Sequence, residues 1–207
     1  MAKKICDELG YDLEIVRLDW DSLIPAVTTG KVDCVIAGQS ITSERLQAVD
    51  FTEPYYYATI VTLVKEGSKY ADAKSVADLA GATCTSQQST IWYNTCLPQI
   101  EGANVLAATA SAPDMLMSLN ADKCDLVVTD QPTGKGALVA YPNFKMIEFG
   151  GGENDFQVTD EDINIGISLK KGNTELQDAI NSVLTKMTKD DFSQMMDEAI
   201  SVQPLAN

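Results

Sequence analysis

The chain has 207 residues, 45% hydrophobic and 22% charged, a balance that supports a packed core and excludes a disordered or fibrous chain. Fifteen basic residues face thirty acidic ones, for a net charge of −15, so phosphate-rich nucleic acid and anionic membrane are excluded as preferred partners. Histidine is absent, which removes imidazole-activated nucleophiles and His-ligated metal sites.

No apolar run approaches the ~18 residues that cross a bilayer. Met1-Ala-Lys-Lys leads directly into helical sequence rather than a secretory core, so the chain is cytosolic or its leader lies outside it. The cysteines (6, 34, 84, 96 and 124) are odd in number and include no Cys-x-x-Cys pair. They read as free core thiols, with a Cys84–Cys96 bridge as the alternative, and a zinc cluster is not expected.

Taken in chain order, Ala2, Ile5, Cys6 and Leu9 keep helical spacing up to Gly10, and Leu13 to Leu18 reads as a strand. A helix opens at Asp21-Ser22 and closes at Gly30, and Val32 to Ala37 reads as a strand buried on both faces. Thr59 to Val64 is strand-like, Ser75 to Asp78 a capped short helix, and a short strand after Gly81 leads to a helix from Thr90. Ser111 opens a further helix, Asp125 to Thr129 is a strand, Thr133 to Ala140 a helix, and Lys145 to Phe149 a strand. Gly150 to Gly152 is the linker candidate, followed by a strand at Ile163 to Leu169 and two closing helices. Helix alternating with strand gives the class α/β.

An internal echo sharpens this reading. Lys31 to Gln39 aligns without a gap on Lys123 to Gln131, and the preceding helices match too, Leu23 over Met115 and Val27 over Leu119. Buried strands resemble one another by chance, but a match that continues into the flanking helix favours two similar α/β lobes. Ligands of open α/β sheets lie outside the carboxyl ends of strands, here the loops at 38–45 and 129–133.

In the first loop, Thr42 caps a short helix and leaves free amides beside the Ser40 hydroxyl and Arg45. That group either binds a carboxylate through the planar guanidinium fork, or Arg45 pairs with Glu44 or Asp50. Ser89, Thr90 and Ile91 either face a ligand or merely cap a helix. Asp130 either holds an ammonium group or caps the next helix. Trp20 offers an apolar face to a ligand or packs partly buried. The acidic stretch 153–162 lacks the spacing of a calcium loop and reads as solvated, and no glycine-rich phosphate cradle is present.

Ser40-Ile-Thr-Ser-Glu-Arg45, Val49-Asp-Phe-Thr-Glu-Pro-Tyr55, Asp78-Leu-Ala-Gly81, the Gln-Ser-Thr turn at 88–90 and Lys123 to Asp130 follow in order and spacing. Together they resemble the polar amino-acid-binding proteins of ABC importers, the type II periplasmic-binding-protein fold. The likeness runs from the first helix to the last. It implies two lobes, residues 1–58 with 155–207 and residues 59–154, each a mostly parallel sheet flanked by helices. By position it implies that Arg45, with Ser40 and the Thr90/Ile91 turn, binds an α-carboxylate. Asp130 and the Gly38 carbonyl would receive the α-ammonium, while Trp20 and Gln87 would line the ligand. Ser89 and Ile91 depart from the family's Gly-Thr-Thr turn. The family's opening strand and aromatic loop have no counterpart here, so the first lobe reads as incomplete at its N-terminus, with another copy of the chain a candidate cover for the exposed edge.

The resemblance implies capture of a free L-amino acid, polar in side chain, for the permease of an ABC importer, with neither cofactor nor metal. The protein would be extracytoplasmic, in the periplasm or lipid-anchored. The rival is a lyase of the cyclohexadienyl dehydratase type, whose general acid would be Glu53 or Glu44. A regulator's effector-binding half shares the fold but should carry a DNA-binding domain.

Overall fold

The computed structural model describes residues 1–202. Helix α1 (Ala2–Leu9) ends where Gly10 turns left-handed. A 3-10 turn (Trp20–Ser22) leads into α2 (Leu23–Thr29), which buries Ala26 and Val27. Strand β1 (Cys34–Ser40), the short α3 (Ser43–Leu46), β2 (Val49–Phe51) and β3 (Tyr56–Tyr57) follow. Next come β4 (Ile60–Lys65), β5 (Thr83–Thr85), β6 (Asn104–Val105), α4 (Ala112–Asn120), β7 (Leu126–Asp130), α5 (Gln131–Ala140) and β8 (Phe144–Ile147). The chain closes through α6 (Asp160–Ile163), β9 (Asn164–Lys170), α7 (Thr174–Leu184) and α8 (Lys189–Val202).

Two compact units result, one made of Met1–Tyr57 with Asp160–Glu198 and the other built on Ala58–Thr159. Each is a sheet with helices against it, the α/β class read from the sequence. In the first unit β9 is central. β1 lies on one edge (Cys34 opposite Leu169), while β2 and β3 follow one another along the other edge (Asp50 opposite Leu169, Tyr56 opposite Ile165). Ile5 of α1 and Ile180, Val183 and Leu184 of α7 bury against Ile167 and Leu169 of this strand. In the second unit the order is β6-β5-β7-β4-β8. There α4 places Met115, Leu116 and Leu119 on Leu63 and Val127.

The echo becomes two equivalent strands. β1 begins at Cys34 and β7 at Leu126, the same place in the repeat, and the paired helix positions Val27 and Leu119 are both fully buried.

Three expectations are corrected. The sheets are not mostly parallel. Among the described residues every ladder of the first unit is antiparallel, because β9 returns to that unit only after the second has been built and runs against its neighbours. In the second unit only β5 pairs in parallel, with β6 and β7. Val32 to Ala37 is not buried on both faces: Val35 is buried, but Val32, Cys34 and Ile36 are half-buried and Ala37 is exposed. Leu13 to Leu18 is no strand. Its apolar alternation finds no ladder, and Leu13, Ile15 and Val16 stay exposed; alternation supplies a face, but a strand also needs a hydrogen-bonding neighbour. The cysteines are free thiols, Cys84 and Cys96 included.

Candidate functional site

One group of the expected residues stands at the end of β1. The register against β9 slips between Val35 and Gln39, and Gly38 at the slip has φ 72°, a left-handed value that glycine adopts without steric cost. The bulge lets Gln39 turn inward, where its Oε1 accepts a 2.8 Å hydrogen bond from the buried Ser168 hydroxyl. Gly38 is held through its backbone by a hydrogen bond with the Tyr55 hydroxyl, whose pKa burial pushes up to about 12.

Beyond the strand, Thr42 caps α3, its Oγ1 accepting from the Arg45 N–H at 3.3 Å. This cap aims Arg45 back along the chain, so that its Nη1 donates to the Ser40 carbonyl at 2.9 Å. The guanidinium carbon lies 5.8 Å from the centre of the Trp20 ring. Burial lowers the Arg45 pKa, and neighbouring Glu44 works against that shift. The structure therefore brings together Gly38, Ser40, Arg45 and Trp20. Asp50, one of the acids weighed as a partner for Arg45, ion-pairs with Lys171 at 3.6 Å.

The expected free amides of this helix start are corrected. The Ser43 N–H donates to Glu161 at 3.1 Å, the Ser43 hydroxyl donates to the same oxygen at 2.6 Å, and the Arg45 N–H is taken by Thr42. Those bonds from Ser43, the hydroxyl foremost, hold Glu161 below the usual carboxylate range. Two of the amides at this helix start are thereby taken. The sequence reading left Glu161 in a solvated acidic stretch, because Ser43 lies 118 residues away with no local pattern joining the two.

The second group of expected residues lies at the carboxyl ends of two neighbouring parallel strands. Thr85 of β5 stands opposite Val127 of β7, and the Ser86 hydroxyl donates to the Val128 carbonyl at 2.7 Å. This register brings the turn at 87–91 and Asp130 to the same end of the sheet. Gln87 bridges Thr109, and the Gln88 N–H donates to the Thr109 carbonyl. Ser89 adopts φ 56°, the conformation that the family's glycine would take without strain. The Thr90 hydroxyl donates to the Gln87 carbonyl at 2.7 Å and accepts from the Tyr93 N–H at 3.4 Å, so its proton stabilises the turn itself. Ile91 is buried and Gln87 half-buried. The helix expected from Thr90 is a wide π-type turn over Trp92–Cys96, continued by a 3-10 turn.

Asp130 ends β7 and caps α5, its Oδ1 accepting from the Thr133 N–H at 2.8 Å. The residue keeps some exposure, yet protein crowds its carboxyl closely enough that desolvation raises its pKa despite the hydrogen bonds from Thr133. Capping and ammonium recognition are compatible, since a carboxylate accepts about four hydrogen bonds and Thr133, through its backbone and its side chain, does not take all of them. Glu44 and Glu53, the acids a lyase would need, are both exposed. Among the described residues no group of three or more acidic or cysteine side chains is placed to hold a metal.

Both groups can be set beside known proteins. Residues 1–200 match the family model for bacterial extracellular solute-binding proteins, family 3. The chain is 27% identical to the L-arginine-binding protein of Pseudomonas aeruginosa over 97% of its own length and 77% of that protein's. It is 32% identical to a probable histidine-binding protein of Campylobacter jejuni over 74% of its length, which spans 59% of that relative, less than two thirds. Its backbone superposes with a TM-score of 0.83 on an amino acid ABC transporter substrate-binding protein from Streptococcus pneumoniae bound to L-arginine, at 26% identity over 97% of this chain and 80% of that one. The chain belongs to the bacterial extracellular solute-binding proteins, family 3, and carries the type II periplasmic-binding fold.

Proposed function

We propose that the chain binds a free L-amino acid as a zwitterion and delivers it, outside the cytoplasm, to the permease of an ABC importer. The carboxylate goes to Arg45, assisted by Ser40, and the ammonium goes to Asp130 with the Gly38 carbonyl. The two half-sites stand on different units, so a ligand held by both favours whichever arrangement lets it reach both. The task is capture, with no bond made or broken.

The observation that carries this reading is Arg45. It is a half-buried guanidinium, fixed by the Ser40 carbonyl at a strand end and by a helix cap behind it, and so it is pre-set for a planar bidentate anion. A polar side chain on the ligand is favoured by Gln87, and a cationic one by the net charge of −15, which raises the local concentration of cations. The relatives named for arginine and histidine fit the same class.

Calorimetry with L-arginine, L-histidine and L-glutamine, each beside its D-enantiomer, tests the proposal. Saturable binding of at least one L-amino acid is expected. Absence of binding there, and across the remaining proteinogenic amino acids measured in the same way, would overturn it, and turnover of arogenate would favour the lyase.

A further inference from the structure

We infer that residues 13–18 form a docking strand for a second copy of this chain, the two segments pairing antiparallel about a two-fold axis between Ile15 and Val16. This pairing is independent of what the chain binds.

Between α1 and the 3-10 turn the backbone runs from Tyr11 to Asp19 without helix or ladder. Both ends of the stretch are pinned. The Tyr11 N–H donates to the Cys6 carbonyl at 2.9 Å, and the Asp19 carbonyl accepts from the Ser22 N–H at 2.9 Å. In between, the backbone groups of 12–18 have no hydrogen-bonding partner among the described residues, which leaves an edge open to strand addition. Leu13, Ile15 and Val16 are exposed, Ile15 by 79%, and adjacent exposed apolar side chains mark an interaction surface.

The order of the residues identifies the occupant. Asp12-Leu-Glu-Ile-Val-Arg-Leu-Asp19 keeps its apolar and charged positions when read from either end. Two antiparallel copies centred between Ile15 and Val16 therefore match. Ile15 meets the partner's Val16, Leu13 meets the partner's Leu18, and Glu14 meets the partner's Arg17, each pair occurring twice by symmetry. Opposed apolar and opposite-charge pairs are what stabilise a ladder. A slip of one residue either way would set Glu14 and Arg17 against apolar side chains, so the register is specified. At the ends Asp12 meets the partner's Asp19, and that like-charge pair closes the ladder where the Asp19 carbonyl is already engaged. Repulsion between two chains of net charge −15 keeps the association weak and dependent on concentration.

Sedimentation velocity over roughly 10 to 500 μM chain, at about 0.15 M salt, tests the pairing. The unmodified chain should pass from monomer to dimer across that range. Glu14→Arg alone, or Arg17→Glu alone, sets like charges opposite one another twice and should weaken association roughly tenfold or more. Both side chains are exposed, and an unchanged Tm would show that each variant folds. An equimolar mixture of the two variants restores both opposite-charge pairs and should associate again as a heterodimer. A chain monomeric throughout would overturn the inference. So would a dimer indifferent to either substitution, or a mixture that fails to recover.

Discussion

Replacing Asp130 with Asn separates the two duties assigned to that residue. Asn caps helices about as well as Asp, so the 2.8 Å bond from the Thr133 N–H survives in kind and only the charge is lost. For binding, removing one member of a buried ion pair costs about 3–5 kcal/mol. Residual exposure of Asp130 reduces this to about 2–3 kcal/mol, or roughly 30- to 150-fold in affinity. An otherwise identical ligand lacking the α-ammonium should lose little. For the unliganded protein the sign reverses. Desolvation raises the folded pKa of Asp130 above its unfolded value, so the native state binds more protons in that window and stability falls as pH climbs through it. Asp130→Asn should therefore raise Tm above the raised pKa and bring no gain below the ordinary aspartate range. Titration calorimetry with both ligands, and thermal melts at pH 3 and pH 8, check the two halves. Equal affinity losses for both ligands would refute the ammonium assignment. A Tm gain of equal size at both pH values would refute desolvation as the cause.

Arg45→Ala should cost at least ~2 kcal/mol of amino-acid affinity by calorimetry, because a desolvated carboxylate loses its partner. Ser89→Gly should stabilise the fold by about 1 kcal/mol in urea melts, since it relieves a side chain held at φ 56°. Gly134→Ala should destabilise by about 1–3 kcal/mol in the same assay, because its added carbon would lie 2.7 Å from the Met146 sulfur and 2.9 Å from a Val61 methyl. Burial pushes Cys34 and Cys84 up to about 11 and Cys124 up to about 12. A thiol reagent at pH 8 should accordingly modify these three slowly in the native state and fast in denaturant.

Local chemistry was legible in the sequence where a short stretch contains its own cause. The Thr42 cap, the Ser111 cap and the glycine stops at Gly10 and Gly30 all appear where their side chains demand them. The repeat at Lys31 and Lys123 located two strand starts because helix, turn and apolar run act together. What failed depended on partners distant in the chain. Leu13 to Leu18 has strand alternation and no ladder, and the direction of β1 against β9 is set by a segment more than a hundred residues later. The site residues were readable as types, but their commitments were not. The Thr90 hydroxyl serves its own turn, and Glu161 takes the Ser43 amide that spacing had left open.

The central position of β9 has a temporal consequence. β1, β2 and β3 each pair with that strand, so the first sheet cannot close until the ribosome has released residue 170. The sheet spanning 60–147 draws on one uninterrupted stretch and is complete earlier. During synthesis the amino-terminal segment therefore waits, its apolar faces uncovered, while the middle of the chain folds before it. Chaperone dependence should accordingly fall on residues 1–57 rather than on the sheet spanning 60–147.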